Sequence, residues 1–133
     1  DDNQLPHDYV LNALRPIFED PNVPKVAHNA NYDITVLANH AIFVKGVVFD
    51  TMLGAHLSGR KSLGLKAMTV EILGYEMTPI SDLIGKGRKQ ITMAEVPIEK
   101  SSPYAGADAD FTLRLYPIVK EELKGKLRML SFQ

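Results

Sequence analysis

The chain has 133 residues, 45% of them hydrophobic and 23% charged, with a formal net charge of −1. That is room for one ordinary domain with a normal globular balance, and it excludes wholesale disorder. Cysteine is absent, which removes disulfides, thiolate metal sites and cysteine nucleophiles together.

No run of about 18 apolar residues offers a membrane span, and the acidic opening Asp1-Asp2-Asn3-Gln4 is unlike a signal peptide. A soluble cytoplasmic protein without a membrane partner is expected. The near-neutral charge carries no global basic signature of nucleic-acid binding. It does not exclude a nuclease, whose acidic metal ligands offset the basic residues that meet the substrate.

Apolar residues at Val10, Ala13, Leu14, Ile17 and Phe18 predict a helix over 6–19, kinked or restarted at Pro16 and ended by Asp20-Pro21-Asn22. A short strand follows over 23–27, with Pro24 at its entrance. Asn31 reads as the N-cap of a helix reaching about Ala41, with Ile34, Leu37 and Ala38 on its inner face. Val47, Val48 and Phe49 form a second strand, and Asp50 caps a short helix holding Met52, Leu53 and Leu57. Strand, helix and strand in about 30 residues make a βαβ unit with parallel strands.

A Ser-, Gly- and base-rich loop over 58–64 leads to a helix near 65–73 that ends at Gly74. Val70, Leu73, Leu113 and Leu115 read as ordinary core. The stretch 77–102 looks irregular, with Gly85-Lys86-Gly87-Arg88-Lys89 at its middle. The last helix is expected to start at Ser102 as cap and Pro103 as first helical residue, to kink at Pro117, and to stop at about Leu123 before Gly125.

Two segments could carry chemistry. His28-Asn29-Ala30-Asn31-Tyr32-Asp33 lies at the carboxyl end of the first strand, where open α/β sheets place their ligands. Tyr104-Ala105-Gly106-Ala107-Asp108 puts Tyr104 and Asp108 at i and i+4 on one helix face, and its small residues allow a large molecule to come close. Taken singly, each has a plainer explanation. An Asp in a first turn is usually a cap or a partner of the helix dipole, and a Tyr and Asp one turn apart are usually a solvated pair. His7, His28, His40 and His56 show no ligand spacing, so zinc is not expected.

Order and spacing together are more specific. From about Leu11 to Leu115 the chain resembles the proofreading 3′–5′ exonuclease domain of family A DNA polymerases such as bacterial DNA polymerase I. That domain is the tyrosine branch of the DEDD exonuclease superfamily. The matching stretches are residues 25–33, 46–53, 85–87 and 104–114. Asn29 with Asp33 matches the family's second motif, and Tyr104 with Asp108 its third. The resemblance implies an α/β, ribonuclease H-like fold, here a parallel βαβ unit with surrounding helices.

The family's first motif, Asp-x-Glu on a leading strand, is missing. Asp1, Asp2 and Asp8 are the early acids, and none stands in a strand-like context. Residues 1–133 are therefore expected to be a single, N-terminally truncated domain lacking its leading β strands and its first motif, with an exposed edge or apolar face where they dock.

The resemblance also implies the chemistry. Two divalent ions, Mg²⁺ or Mn²⁺, held by carboxylates roughly 3.5–4 Å apart activate water and stabilise charge on oxygen. Asp33 would help hold one ion and Asp108 the other, and Tyr104 would lie beside them. A phenol with an ordinary pKa of about 10 is a poor base, so Tyr104 is expected to orient the attacking water.

Asn29, Tyr32 and Tyr104 are candidate contacts to a single-stranded DNA 3′ end; for Tyr32 a half-buried helix aromatic explains the residue as well. Arg60, Lys61, Lys86, Arg88 and Lys89 could follow backbone phosphates or be merely solvated. Ile80 stands where relatives often place an aromatic. Asp50 is expected to cap and Asp110 to be structural. The expected partner in the same polypeptide is a polymerase domain, and the expected setting is the nucleoid. Rival readings are an enzyme similar to ribonuclease D and a non-catalytic scaffold.

Overall fold

The computed structural model describes residues 4–131. Its centre is a pair of parallel strands, β1 (Lys25–Ala27) and β2 (Val47–Asp50), joined by helix α2 (Ala30–Ala38). Val26 pairs with Phe49 and Ala27 with Asp50. The approach to β2 needs glycine. Gly46 has φ +79°, and a Cβ there would lie 2.8 Å from the Val23 carbonyl oxygen. Lys25 donates its own N–H to Gly46 O at 2.9 Å, and its ammonium reaches the carbonyls of Asp20 and Lys45 at 2.8 Å each.

Asp50 organises this centre. Its carboxylate accepts from the backbone N–H groups of Met52 (2.9 Å) and Leu53 (3.3 Å), which caps helix α3 (Thr51–Leu57) as the sequence predicts. It also accepts from Asn29 (3.0 Å) and Ala30 (2.8 Å) at the head of α2. One side chain thus satisfies donors at the starts of two helices.

This corrects the expected start of α2. The N-cap is Asn29, held at φ 68° and ψ 61°, and its side chain makes no cap hydrogen bond because Asp50 takes its place. Asparagine is among the residues that tolerate this left-handed conformation. The helix also ends early, at Ala38. Ala41 turns to φ 58°, and the Ile42 N–H donates back to Leu37 O at 2.9 Å, which drives Ile42 fully into the interior.

Helix α1 (His7–Glu19) is continuous through Pro16 and buries none of its residues. It is tied down at its C-terminal end, where Phe18 O accepts from Lys45 N at 2.9 Å and Glu19 from Phe43 N at 2.9 Å. The core lies on the other side of the sheet. There Ala55 of α3, Met68 of α4 (Leu65–Leu73), and Leu115 and Val119 of α6 (Ile98–Ser131) are fully buried, with Phe49 and Leu73 packed against them. Gly54 allows the closest approach, since a Cβ there would meet the Phe49 ring at 2.6 Å. Val70 and Leu113, expected in the core, are 46% and 62% exposed.

Between α4 and α6 run the short helix α5 (Ser81–Ile84) and two 3₁₀ turns, Gly87–Lys89 and Met93–Glu95. Helix α6 starts at Ile98 and not at Ser102, because Pro97 O already accepts from Lys100 N and Ser101 N at 3.0 Å. Pro103 and Pro117 both lie inside it. It also runs past Gly125, whose helix-interior cost of about 0.5–1 kcal/mol is too small to stop it. Among the described residues the sheet has two strands, so one edge of β1 carries no strand partner.

Burial pushes the Asp50 carboxyl up, and the four backbone N–H donors outweigh it and hold it below the usual carboxylate range. Its stabilising contribution is therefore complete above the ordinary carboxylate pKa of about 3.9 and is lost as pH falls through the lower folded value. Asp50→Ala should cost about 2–4 kcal/mol at pH 7, measured by urea denaturation. The gap to the wild type should narrow below pH 4, and a substitution that leaves the midpoint unchanged would refute this role.

Candidate functional site

A groove of about 1070 Å³ opens between β1, α4 and α6. Asn29 and Asp33 enter it from the first turn of α2, Lys66 from the first turn of α4, and Asp108 from α6. Ala105 and Ala109 line the α6 wall and leave it shallow enough for a bulky ligand. Carboxylates 75 positions apart in the sequence thus border one space. The Asn29 side-chain amide has no hydrogen bond among the described residues and borders the same groove.

Tyr104 is placed differently. Its ring borders a smaller neighbouring cavity of about 210 Å³ with Tyr75, Met77 and Phe111. Its hydroxyl accepts from the Lys66 ammonium at 3.1 Å, and Lys66 Nζ stands 5.1 Å from the ring centroid. Asp33 and Asp108 share the groove, and Tyr104 reaches its margin through Lys66. Tyr32 is 67% exposed and borders an apolar cavity of about 420 Å³ beside β1.

His28 braces the floor. Its Nε2–H donates to the Leu63 carbonyl at 2.7 Å, and its Nδ1 lies 2.8 Å from the Thr51 hydroxyl, which itself donates to the Ala27 carbonyl at 3.2 Å. Burial lowers its pKa, against the opposing pull of the Leu63 carbonyl and the carboxylates of Asp50 and Asp108. A neutral imidazole joining β1, α3 and the loop before α4 is a structural tie. Burial, and then the nearby Asp50 charge, raise the Asp33 carboxyl. Asp33 stays open enough to solvent that screening moderates the effect.

Several basic residues are sorted by the fold. Arg60 forks onto Glu122 and lies 3.6 Å from Glu71, so it is committed and not free for phosphates. Lys61, Lys86, Arg88 and Lys89 are exposed and make no ion pair among the described residues. Asp110 pairs with Arg114 one turn along α6 at 2.9 Å.

Asp33 and Asp108 are hard oxygen donors of the kind Mg²⁺ or Mn²⁺ takes. Among the described residues, however, no group of three or more Asp, Glu or His side chains is gathered to hold a metal ion. The donors fit in kind and fall short in number.

Comparison with known proteins joins this geometry to a family. The sequence pattern of a 3′–5′ exonuclease family matches residues 1–124. The chain belongs to that family. The DNA polymerase I of Chloroflexus aurantiacus is 44% identical over 131 residues, covering 94% of this chain and 13% of the relative. The DNA polymerase I of Pseudomonas aeruginosa is 41% identical over 125 residues, covering 91% and 14%. The chain thus spans about an eighth of the length of these relatives.

The solved POL domain of Pol1 from M. smegmatis, in complex with DNA primer-template and dNTP, superimposes with a TM-score of 0.65 at 24% identity, over 92% of this chain and 18% of that one. That likeness supports the ribonuclease H-like α/β fold expected of an exonuclease domain. The described residues contain no helix long and apolar enough to cross a membrane.

Because Asp33 binds its proton more tightly folded than unfolded, its contribution favours the folded state in acid and turns unfavourable as pH rises through its folded value. Asp33→Asn should therefore melt at or above the wild-type temperature at pH 7, and the difference should vanish below about pH 3. A lower melting temperature at pH 7 would show that the ionised carboxylate stabilises the fold.

Proposed function

We propose that this chain is the greater part of the proofreading 3′–5′ exonuclease domain of a DNA polymerase I, hydrolysing the 3′-terminal phosphodiester of single-stranded DNA with Mg²⁺ or Mn²⁺. The observation that carries this reading is the convergence of Asp33 and Asp108 on one groove with Asn29 beside them.

In the reaction a water oxygen attacks the terminal phosphorus, the bond to the preceding 3′ oxygen breaks, and a mononucleotide leaves. Divalent ions supply the activation of that water and neutralise the charge developing on the phosphate oxygens. The residues of this chain arrange the participants. Asp33 and Asp108 offer carboxylate oxygens from α2 and α6. Asn29, with its side-chain amide unengaged, can hydrogen-bond the terminal nucleotide. Tyr32 offers an exposed ring to a base. The Tyr104 hydroxyl orients the water.

The shortage of donors has a natural remedy. A further strand at the open edge of β1 would sit about 4.8 Å away along the groove. An Asp-x-Glu on it would come up beside Asp33 and Asp108, and it would supply the carboxylates that two ions need. We therefore read residues 1–133 as one domain whose leading strands lie upstream in the parent polypeptide, with a polymerase domain in the same protein and the nucleoid as its setting.

The ribonuclease D-like alternative is disfavoured because the relatives named above are DNA polymerases. The scaffold alternative is disfavoured because Asn29, Asp33, Tyr104 and Asp108 are all present.

The test is release of mononucleotides from the 3′ end of single-stranded DNA by the full parent protein with Mg²⁺. Asp108→Ala should abolish release and leave polymerisation intact, while Tyr104→Phe should lower the rate less severely. Residues 1–133 alone should release almost nothing. Equal exonuclease rates for the wild type and Asp108→Ala would remove the assignment, and robust release by the isolated chain would remove the need for an upstream strand.

A further inference from the structure

We infer that Lys66 is the residue that positions the Tyr104 hydroxyl for the exonuclease reaction, an inference that rests on the reading above and deepens it. The ammonium donates to the Tyr104 oxygen at 3.1 Å across the gap between α4 and α6. Lys66 lines the carboxylate groove while the Tyr104 ring borders the neighbouring cavity, so Lys66 is the link between the phenol and the two Asp.

Fold stability does not explain a lysine here. Residue 66 lies in the first turn of α4, where the helix dipole disfavours a cation. Among the described residues no carboxylate lies within ion-pair distance of it. The two helices are already held together by Met68 against Leu115 and Val119.

The donor inventory gives the link a direction. An ammonium can only donate, so it occupies an acceptor site on the phenol oxygen and turns the phenol's own O–H elsewhere. With Lys66 at the groove margin, that O–H is free to donate to the attacking water or a phosphate oxygen. Without Lys66 nothing among the described residues sets the hydroxyl. A misdirected orienting group is costly, since small displacements of such groups lower rates by up to roughly 100-fold.

The experiment uses the full parent protein, with kcat and KM measured separately on single-stranded DNA with Mg²⁺. Lys66→Met should lower kcat roughly 10-fold with KM changed less than about twofold, and Lys66→Arg should restore most of the rate. Melting temperature should be unchanged in both. In a Tyr104→Phe background Lys66→Met should add less than about twofold, because Lys66 acts through the hydroxyl that is already gone. Independently of activity, the metal-free protein carrying 3-fluorotyrosine should show the Tyr104 fluorine resonance, identified by its loss in Tyr104→Phe, shifted by Lys66→Met and retained by Lys66→Arg.

An undiminished Lys66→Met penalty in the Tyr104→Phe background would overturn the inference, since Lys66 would then act on the substrate directly. So would a penalty carried by KM, a parallel fall in melting temperature, or an unmoved fluorine resonance. If the wild type shows no release that Asp108→Ala abolishes, the exonuclease reading itself fails and takes this inference with it. An active wild type with any of the other contrary results overturns the inference alone.

Discussion

A carboxylate that holds four backbone N–H groups fixes more than its own helix, and Asp50 holds them at the starts of two. By capping α3 it ends β2. By taking the N–H groups of Asn29 and Ala30 it bends the chain out of β1, puts Asn29 in a left-handed conformation and starts α2 at Ala30. Asp33 then falls one turn into that helix and faces the groove. Shift that start by two residues, to the Asn31 cap that local rules suggest, and residue 33 moves about 200° around the helix axis. The register of the site is thus set by a side chain that touches no ligand.

The same charge has a cost. Asp50 sits close enough to Asp33 to press its carboxyl upward, in addition to the effect of burial. Asp108 lies close enough to His28 to act on that imidazole. The groove therefore holds two carboxylates, Asp33 and Asp108, beside the Lys66 ammonium.

What could be read in the sequence was local. The βαβ unit, the Asp50 cap, the Gly74 stop and the small residues around Asp108 follow from spacing and turn chemistry, and the motifs name Asn29, Asp33, Tyr104 and Asp108 as candidates. What could not be read was tertiary. The true cap of α2 is a residue 21 positions away, beyond any local capping rule. The start of α6 is set by Pro97 O, so Pro103, which reads as the first helical residue, and Pro117, which reads as a kink, both lie within a continuous helix. Arg60 looked free until Glu122, 62 positions on, was found to hold it. Lys66 left one visible trace, a cation in the first turn of a helix, and that trace means little until the Tyr104 hydroxyl is found above it.

The described surface also shows where the domain is open. The unpaired edge of β1, the groove with its two carboxylates and the apolar cavity beside Tyr32 all border the same strand. Each has a separate physical need: hydrogen-bond partners for the strand, further donors for an ion, cover for apolar side chains. Three independent explanations are less economical than one. A strand laid along β1 meets the first need by its backbone and the others by its alternating faces, one presenting acids to the groove and one presenting apolar residues to the cavity. Metal affinity and fold stability would then be coupled through a single element, since whatever seats that strand also assembles the site.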